Sequence, residues 1–280
     1  MHKPVNYKIV FSDIDGTLLN KNRELSILTV QQIKRVVENH NVKFVMVSAR
    51  MPLGMQHLYD QLSIDSPIIC YNGALILSSL TNGFKSQNIL HSQSINHDIV
   101  QKLFREAKSK DIHFGLFSNN KWYANKIDEW TLKEENNTRV RSVIQPNMDE
   151  LIAELIDQKL PIHKLMIMGD ASKIDTFINF SNQNYGSQVT NYRSKDTYIE
   201  VSPITSNKAS GCAFLLNHLN ISSNDAIAFG DNHNDVEMIK NVGLGIAMEN
   251  APSEVKNVAK RVAPSNLSDG VAQTIRTIFE

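Results

Sequence analysis

A chain of 280 residues is long for one domain, and at roughly 150 residues per domain two are expected. Its 29 Lys and Arg match its 29 Asp and Glu, so it lacks the basic excess with which a general polyanion binder displaces counterions from phosphates. With 41% hydrophobic and 21% charged residues, it is too apolar for a disordered chain, and no stretch approaches the ~18 consecutive apolar residues of a membrane span.

Strand and helix patterns alternate from the start. Residues 7–12 are an apolar run suited to a buried strand. Residues 25–38 place Leu28, Ile33, Val36 and Val37 near helical spacing. A second strand is expected at 42–47. A helix over 52–62 follows, with Pro52 in its first turn. A third strand at 67–70 ends at the turn Asn72-Gly73. Asn82-Gly83 then breaks the rhythm. Beyond it, helices at 97–110, 148–159 and 173–182 alternate with strands at 112–117, 121–124, 162–168 and 198–201. The first pattern returns with a helix over 206–219, a strand at 226–229 and a short helix over 235–240. A strand at 244–247 and a helix over 267–279 complete it. Apolar strands separated by helices predict a parallel sheet covered on both faces. The expected fold is therefore α/β, a doubly wound, Rossmann-like core of residues 1–82 and 196–280. An α+β unit is inserted at 83–195.

Cys70 and Cys212 each lie in apolar sequence with no pairing pattern, so buried free thiols in a reducing compartment are expected. Residues 1–12 lack the apolar core and cleavage pattern of a signal peptide. The expected setting is cytoplasmic, with no membrane and no nucleic-acid partner.

Four short patterns carry polar chemistry. Asp13-Ile14-Asp15-Gly16-Thr17 follows the first strand. In extended chain Asp13 and Asp15 can project to one side, where two carboxylates invite a raised pKa or a cation. Asp-x-Asp alone fits a solvated acidic turn as well. Ser48-Ala49-Arg50 ends the second strand, and its hydroxyl can donate to a phosphate oxygen. Lys208 opens a helix, where its charge opposes the helix dipole, so a nearby anion or carboxylate would explain it; alone, it fits a solvated surface lysine as well. Gly230-Asp231-Asn232-His233-Asn234-Asp235 follows a later strand, and its acids fit a helix cap too. His233 is expected in solvent or behind the site residues rather than as a metal ligand. The chain has no P-loop, no complete calcium loop and no His/Cys cluster of zinc spacing.

In their fixed order these patterns resemble the four motifs of the haloacid dehalogenase superfamily of phosphohydrolases. Asp13-Ile14-Asp15-Gly16-Thr17 is similar to the first, Ser48 to the second, Lys208 to the third, and Gly230-Asp231 with Asn234-Asp235 to the fourth. The inserted unit resembles the large α/β cap of the Cof-type subfamily, and Asn72-Gly73-Ala74 resembles a loop typical of it. Ser48 departs from the commoner threonine but keeps the hydroxyl.

The resemblance implies a phosphatase that hydrolyses small phosphorylated metabolites through an aspartyl-phosphate. Asp13 is then the nucleophile and Asp15 the acid/base. Ser48, Ala49, Lys208 and Asn234 bind phosphate with Asp13. Mg²⁺ is held by Asp13, the main-chain carbonyl of Asp15, and Asp231. Asn72, Gly73 and Asp235 support these groups, and Asn234 or Asp235 orients Lys208 or metal-bound water. The cap must read the rest of the substrate and close over it, with Asn119, Asn120, Trp122, Arg139, Arg141, Arg193 and Lys195 as candidates. A monomer or weak homodimer is expected. A phosphotransferase or mutase of the same fold, and a non-catalytic sensor of phosphometabolites, are the alternatives. A sensor has no need of Asp15.

Overall fold

A computed structural model describes residues 7–280. Its elements in chain order begin with β1 (Ile9–Ser12), α1 (Ile27–His40), β2 (Lys43–Val47), α2 (Leu53–Leu62), β3 (Ile68–Cys70), β4 (Leu75–Leu77) and β5 (Ile89–Ser92). Next come α3 (His97–Ser109), β6 (His113–Ser118), β7 (Lys121–Ala124), α4 (Glu129–Thr138), β8 (Val143–Ile144), α5 (Met148–Asp157), β9 (Lys164–Met168), α6 (Ala171–Tyr185), β10 (Val189–Lys195) and β11 (Tyr198–Pro203). The chain ends with α7 (Lys208–His218), β12 (Ala226–Gly230), α8 (Val236–Lys240), β13 (Leu244–Met248), α9 (Ser253–Val258), β14 (Arg261–Ala263) and α10 (Gly270–Ile278). Two compact units form. One takes the chain up to Ala49, Met55–Leu90 and Asn207–Glu280; the other takes Arg50–Gly54 and His91–Ser206.

The first unit is built on an eight-stranded sheet of order β14-β13-β12-β1-β2-β3-β4-β5. Pairing is parallel from β14 to β3 and antiparallel from β3 to β4. Every residue of β1 is buried, as expected of a central strand covered on both faces. Phe11, Val45, Ile69, Leu215 and Met238 share one of its core clusters. From β1 the chain winds one way through β2 and β3, and later the other way through β12, β13 and β14. Strand order therefore reverses between β1 and β12, which opens a crevice at their carboxyl ends. Ser12 lies opposite both Met46 and Phe229, so Asp13 leaves the sheet level with the ends of β2 and β12. The N–H of Asp13 still donates to Phe229 O at 3.0 Å.

The second unit has a six-stranded sheet of order β10-β11-β9-β6-β7-β8, antiparallel except between β7 and β8. Phe114, Leu116, Leu165, Ile167, Ile199 and Val201 face a core with helix residues such as Leu103, Ile152 and Phe177. Strand alternation puts Phe117 and Lys164 on the other face. There Lys164 Nζ lies 3.1 Å from Glu200 Oε1 and 4.5 Å from the Phe117 ring centre. Since β11 pairs into this sheet, strand pairing carries the unit past residue 195.

Several elements fall where the sequence pattern predicts none. Strands β4, β5, β8 and β14 are two to four residues long, too short to establish a period. Helix α9 has six residues. Helix α4 buries only Thr131 and Glu134, so it has no apolar stripe, and β10 is a mostly exposed polar strand. The last helix starts at Gly270 rather than 267 because Asp269 is left-handed, φ 55°. Both cysteines are free and buried.

Candidate active site

Asp13 follows β1 and Lys208 begins α7, 195 residues later, yet Lys208 Nζ lies 2.5 Å from Asp13 Oδ1. The same ammonium lies 2.6 Å from Asp235 Oδ1. Asn207 caps α7 with its side chain on the N–H of Ser210, at 2.8 Å. The cation at the helix start is thus explained by two carboxylates. Lys208 is 2% exposed and Asp235 is fully buried.

Both oxygens of Asp235 are engaged. Its Oδ2 accepts from the N–H groups of Asp231 and Asn232, both at 3.0 Å, while Oδ1 serves Lys208. The carboxylates of Asp13, Asp231 and Asp235 can all approach within 4.8 Å of one another. With Asp235 spent, Asp13 and Asp231 are the pair left facing each other. Thr17 Oγ1 donates to Asp231 Oδ1 at 2.7 Å and fixes that side of the pair. Gly16, at φ +84°, passes so close to the Asp231 carboxylate that a Cβ would overlap it.

The electrostatics show what this arrangement lacks. Burial pushes the Asp13 carboxyl well above its usual range. Asp235 and Asp231 push the same way, and Lys208 opposes them. Asp231 is also raised, chiefly by burial. Burial alone would lower the Lys208 pKa, but Asp13 and Asp235 outweigh it and raise it. Three carboxylates around one ammonium leave two negative charges unmatched when all are ionised. A divalent cation on oxygen ligands meets that deficit.

The remaining candidates divide. Ser48 is buried at the end of β2; its N–H donates to Ile69 O at 3.0 Å and its carbonyl accepts from Asn72 N at 2.9 Å. Ala49, half-buried, follows it. Tyr71, Asn72 and Gly73 are consecutive left-handed residues with φ of 50°, 52° and 102°. A Cβ on Gly73 would lie 2.5 Å from Asn207 O, so this turn presses on the start of α7. It thereby ties the Ser48 strand to the Lys208 helix. Asp15 is exposed. Asn234 is half-buried in the turn before α8, and its side chain joins no hydrogen bond to the Lys208 cluster among the described residues. His233 is exposed, as expected. Thr17 carries no role in the sequence reading. Its hydroxyl matters only because Asp231, 214 residues away, folds beside it, and no spacing announces that.

The family model for haloacid dehalogenase-like hydrolases matches residues 10–275. The chain belongs to this family. A protein of Haemophilus influenzae whose phosphatase name is provisional is 33% identical over 274 residues, 98% of either chain. The 5-amino-6-(5-phospho-D-ribitylamino)uracil phosphatase of Bacillus subtilis is 26% identical and covers 97% of this chain and 96% of its own. Among solved structures, a haloacid dehalogenase-like hydrolase from Bacteroides thetaiotaomicron superposes with TM-score 0.88. It is 27% identical and covers 98% of this chain and 100% of that one. No helix among the described residues of this family member is long and apolar enough to cross a membrane.

Within the second unit of this hydrolase, the polar candidates are mostly committed elsewhere. Trp122 is buried and stacked on Phe117, with ring centres 5.7 Å apart. Arg141 pairs with Glu135 at 2.9 Å and Arg193 with Asp175 at 2.6 Å. Asn120 Oδ1 accepts from Leu53 N at 2.6 Å. Arg139 is an exposed left-handed cap of α4, Lys195 is exposed at the end of β10, and Asn119 is half-buried in the β6–β7 turn.

Proposed function

We propose that the protein is a Mg²⁺-dependent phosphatase of small phosphorylated metabolites, with Asp13 as its nucleophile. One observation carries the reading. A buried carboxylate at a strand end is held on Lys208 and faced by Asp231, and the three carboxylates gathered there exceed the one ammonium by two charges when all are ionised. A general anion site would not gather acids, and a structural ion pair would be balanced. The geometry suits a site completed by a divalent cation and then by a phosphate dianion.

The residues fit Mg²⁺, a hard ion that takes few protein carboxylates and keeps several waters. Asp13, Asp231 and the main-chain carbonyl of Asp15 would hold it. When bound, it would offset the repulsion between a carboxylate nucleophile and a phosphate. In the reaction proposed, Asp13 attacks phosphorus and forms an aspartyl-phosphate. Asp15, exposed at the mouth of the loop, protonates the leaving alcohol. It then takes a proton from the water that hydrolyses the intermediate. Lys208, fixed by Asp235, neutralises charge on the transferring group, and Ser48 donates to a further phosphate oxygen. The second unit is proposed to act as the cap that reads the rest of the substrate.

The test is hydrolysis of p-nitrophenyl phosphate with and without Mg²⁺, in wild type and Asp13→Asn. Loss of turnover in the variant and in excess chelator is expected. Near-normal rates in either would sink the mechanism. A screen of sugar phosphates and phosphorylated heterocycles then identifies the substrate, starting with the phosphoribitylaminouracil named for the Bacillus relative.

A further inference from the structure

The loop that carries Asp13, Asp15 and Thr17 is clasped from outside by two asparagines from the far end of the chain. Asn250 follows β13, and its Nδ2 donates to Gly16 O at 2.8 Å. Its Oδ1 accepts from Asn266 N at 3.2 Å. Asn266 follows β14, and its own Nδ2 donates to Leu19 O at 2.7 Å. These bonds span 234 and 247 residues of sequence. Two strand ends thus reach back to one loop, each through a side-chain amide on a main-chain carbonyl.

We propose that Asn250, backed by Asn266, is a positioning residue that sets the geometry of the metal-holding loop; this rests on the Mg²⁺ reading above. The reason lies in what Gly16 touches. On its inner side there is no room, because its Cα already lies against the Asp231 carboxylate. The next residue, Thr17, binds that carboxylate, and the preceding peptide carries the Asp15 carbonyl. On its outer side the Gly16 carbonyl is held by the Asn250 side chain. A glycine in a left-handed conformation is intrinsically free to move, so the hydrogen bond to its carbonyl removes that freedom. Without it, the Asp15 carbonyl and the Asp231 carboxylate lose their common reference. Asn250 itself is exposed, so its truncation leaves no cavity and no buried orphan.

The experiment is calorimetric titration of Mg²⁺ into wild type, Asn250→Ala and Asn266→Ala, with circular dichroism and melting curves as fold controls. One hydrogen bond predicts that Asn250→Ala weakens Mg²⁺ binding by about 3–10-fold, with KM for substrate unchanged at saturating Mg²⁺ and kcat recovered as Mg²⁺ is raised. Asn266→Ala should shift the metal affinity in the same direction by less, since the bond from Asn250 to Gly16 remains. Unchanged Mg²⁺ affinity in a folded Asn250→Ala protein overturns the proposal while leaving the phosphatase reading intact. Equal losses in kcat and stability with no change in metal affinity also overturn it, as they mark a merely structural bond. If wild type itself binds no Mg²⁺, the metal reading fails and the clasp falls with it.

Discussion

Asp13 and Asp235 flank the same ammonium, yet they should respond in opposite senses to replacement by asparagine. Asp235 uses both oxygens, one on Lys208 and one on two backbone N–H groups. An amide accepts on one side only. In Asp235→Asn, one orientation turns the NH2 toward Lys208 and the other turns it toward the two N–H groups, so donors face donors in a fully buried place. Removing one partner of a buried charge pair costs about 3–5 kcal/mol. At about 2–4 °C per kcal/mol for a chain of this size, Tm should fall by about 6–20 °C. Asp13 differs, because burial and two neighbouring carboxylates push its pKa up. A carboxyl raised in the folded state stabilises it only while protonated. That contribution is complete below the unfolded pKa of about 3.9 and lost as pH rises through the folded value. Near neutral pH without metal, burial of ionised Asp13 outweighs its attraction to Lys208 and opposes folding; Asp13→Asn removes the opposition and leaves Lys208 paired with Asp235. The assay is thermal unfolding of wild type and both variants in EDTA at neutral pH. Asp13→Asn should melt at or above wild type while losing turnover. Equal falls for the two variants would refute the reasoning, as would an Asp235→Asn protein melting within about 2 °C of wild type.

Mg²⁺ should raise Tm, by the equivalent of about 2.7 kcal/mol at 100 times its dissociation constant. Since Asp13 and Asp231 are both raised without metal, the gain should be larger near neutrality than under acid conditions that protonate them; equal shifts would count against the site. Gly16→Ala should cost about 1–3 kcal/mol for its left-handed backbone and should also displace Asp231, so metal affinity read by calorimetry must fall with it. In the second unit, Asp128 accepts from Thr131 N at 2.8 Å as the N-cap of α4 and lies 2.9 Å from His113 Nδ1. Asp128→Ala should cost about 0.5–2 kcal/mol in urea unfolding. Burial alone would raise the Asp128 pKa, but hydrogen bonds from Thr131 and His113 outweigh it and lower it. Its contribution is thus present above the unfolded pKa and lost as pH falls, so the gap between the two proteins should close in acid.

The core sheet was legible because its long strands and helices repeat apolar residues at the right periods. The candidate site was legible because open α/β sheets expose residues at strand ends, and Asp13, Ser48 and Asp231 each follow a recognisable apolar run. Lys208 was readable as an anomaly, a cation where the helix dipole disfavours one. What stayed hidden depends on contacts between remote segments. Thr17 and Asn250 are ordinary polar residues until β12 brings Asp231 beside Thr17 and β13 carries Asn250 to Gly16. Asn234 shows the converse. A polar residue between two acids reads as part of the cluster, but the turn before α8 turns Asp235 inward and leaves Asn234 at its edge. Strands of two to four residues and a helix without an apolar stripe leave no period to read.

A chain of zero net charge can still build a site that is far from neutral, and here the imbalance explains the division of labour around Lys208. Under the proposed reading, a pocket that takes a divalent cation and then a phosphate dianion carries surplus acid of its own, and surplus acid opposes folding. The fold therefore needs at least one carboxylate whose bonds do not depend on the ligand. Asp235 meets that need, with three donors supplied by Lys208 and its own turn. Thr17 holds Asp231 in the same ligand-independent way. Asp13 keeps Lys208 as its donor, yet burial still pushes its carboxyl up, which fits the nucleophilic role proposed for it. The same argument explains why Lys208 is buried rather than exposed. An ammonium in water would be screened from the phosphate and free to leave Asp13. Fixed between two carboxylates, it keeps its proton and its position.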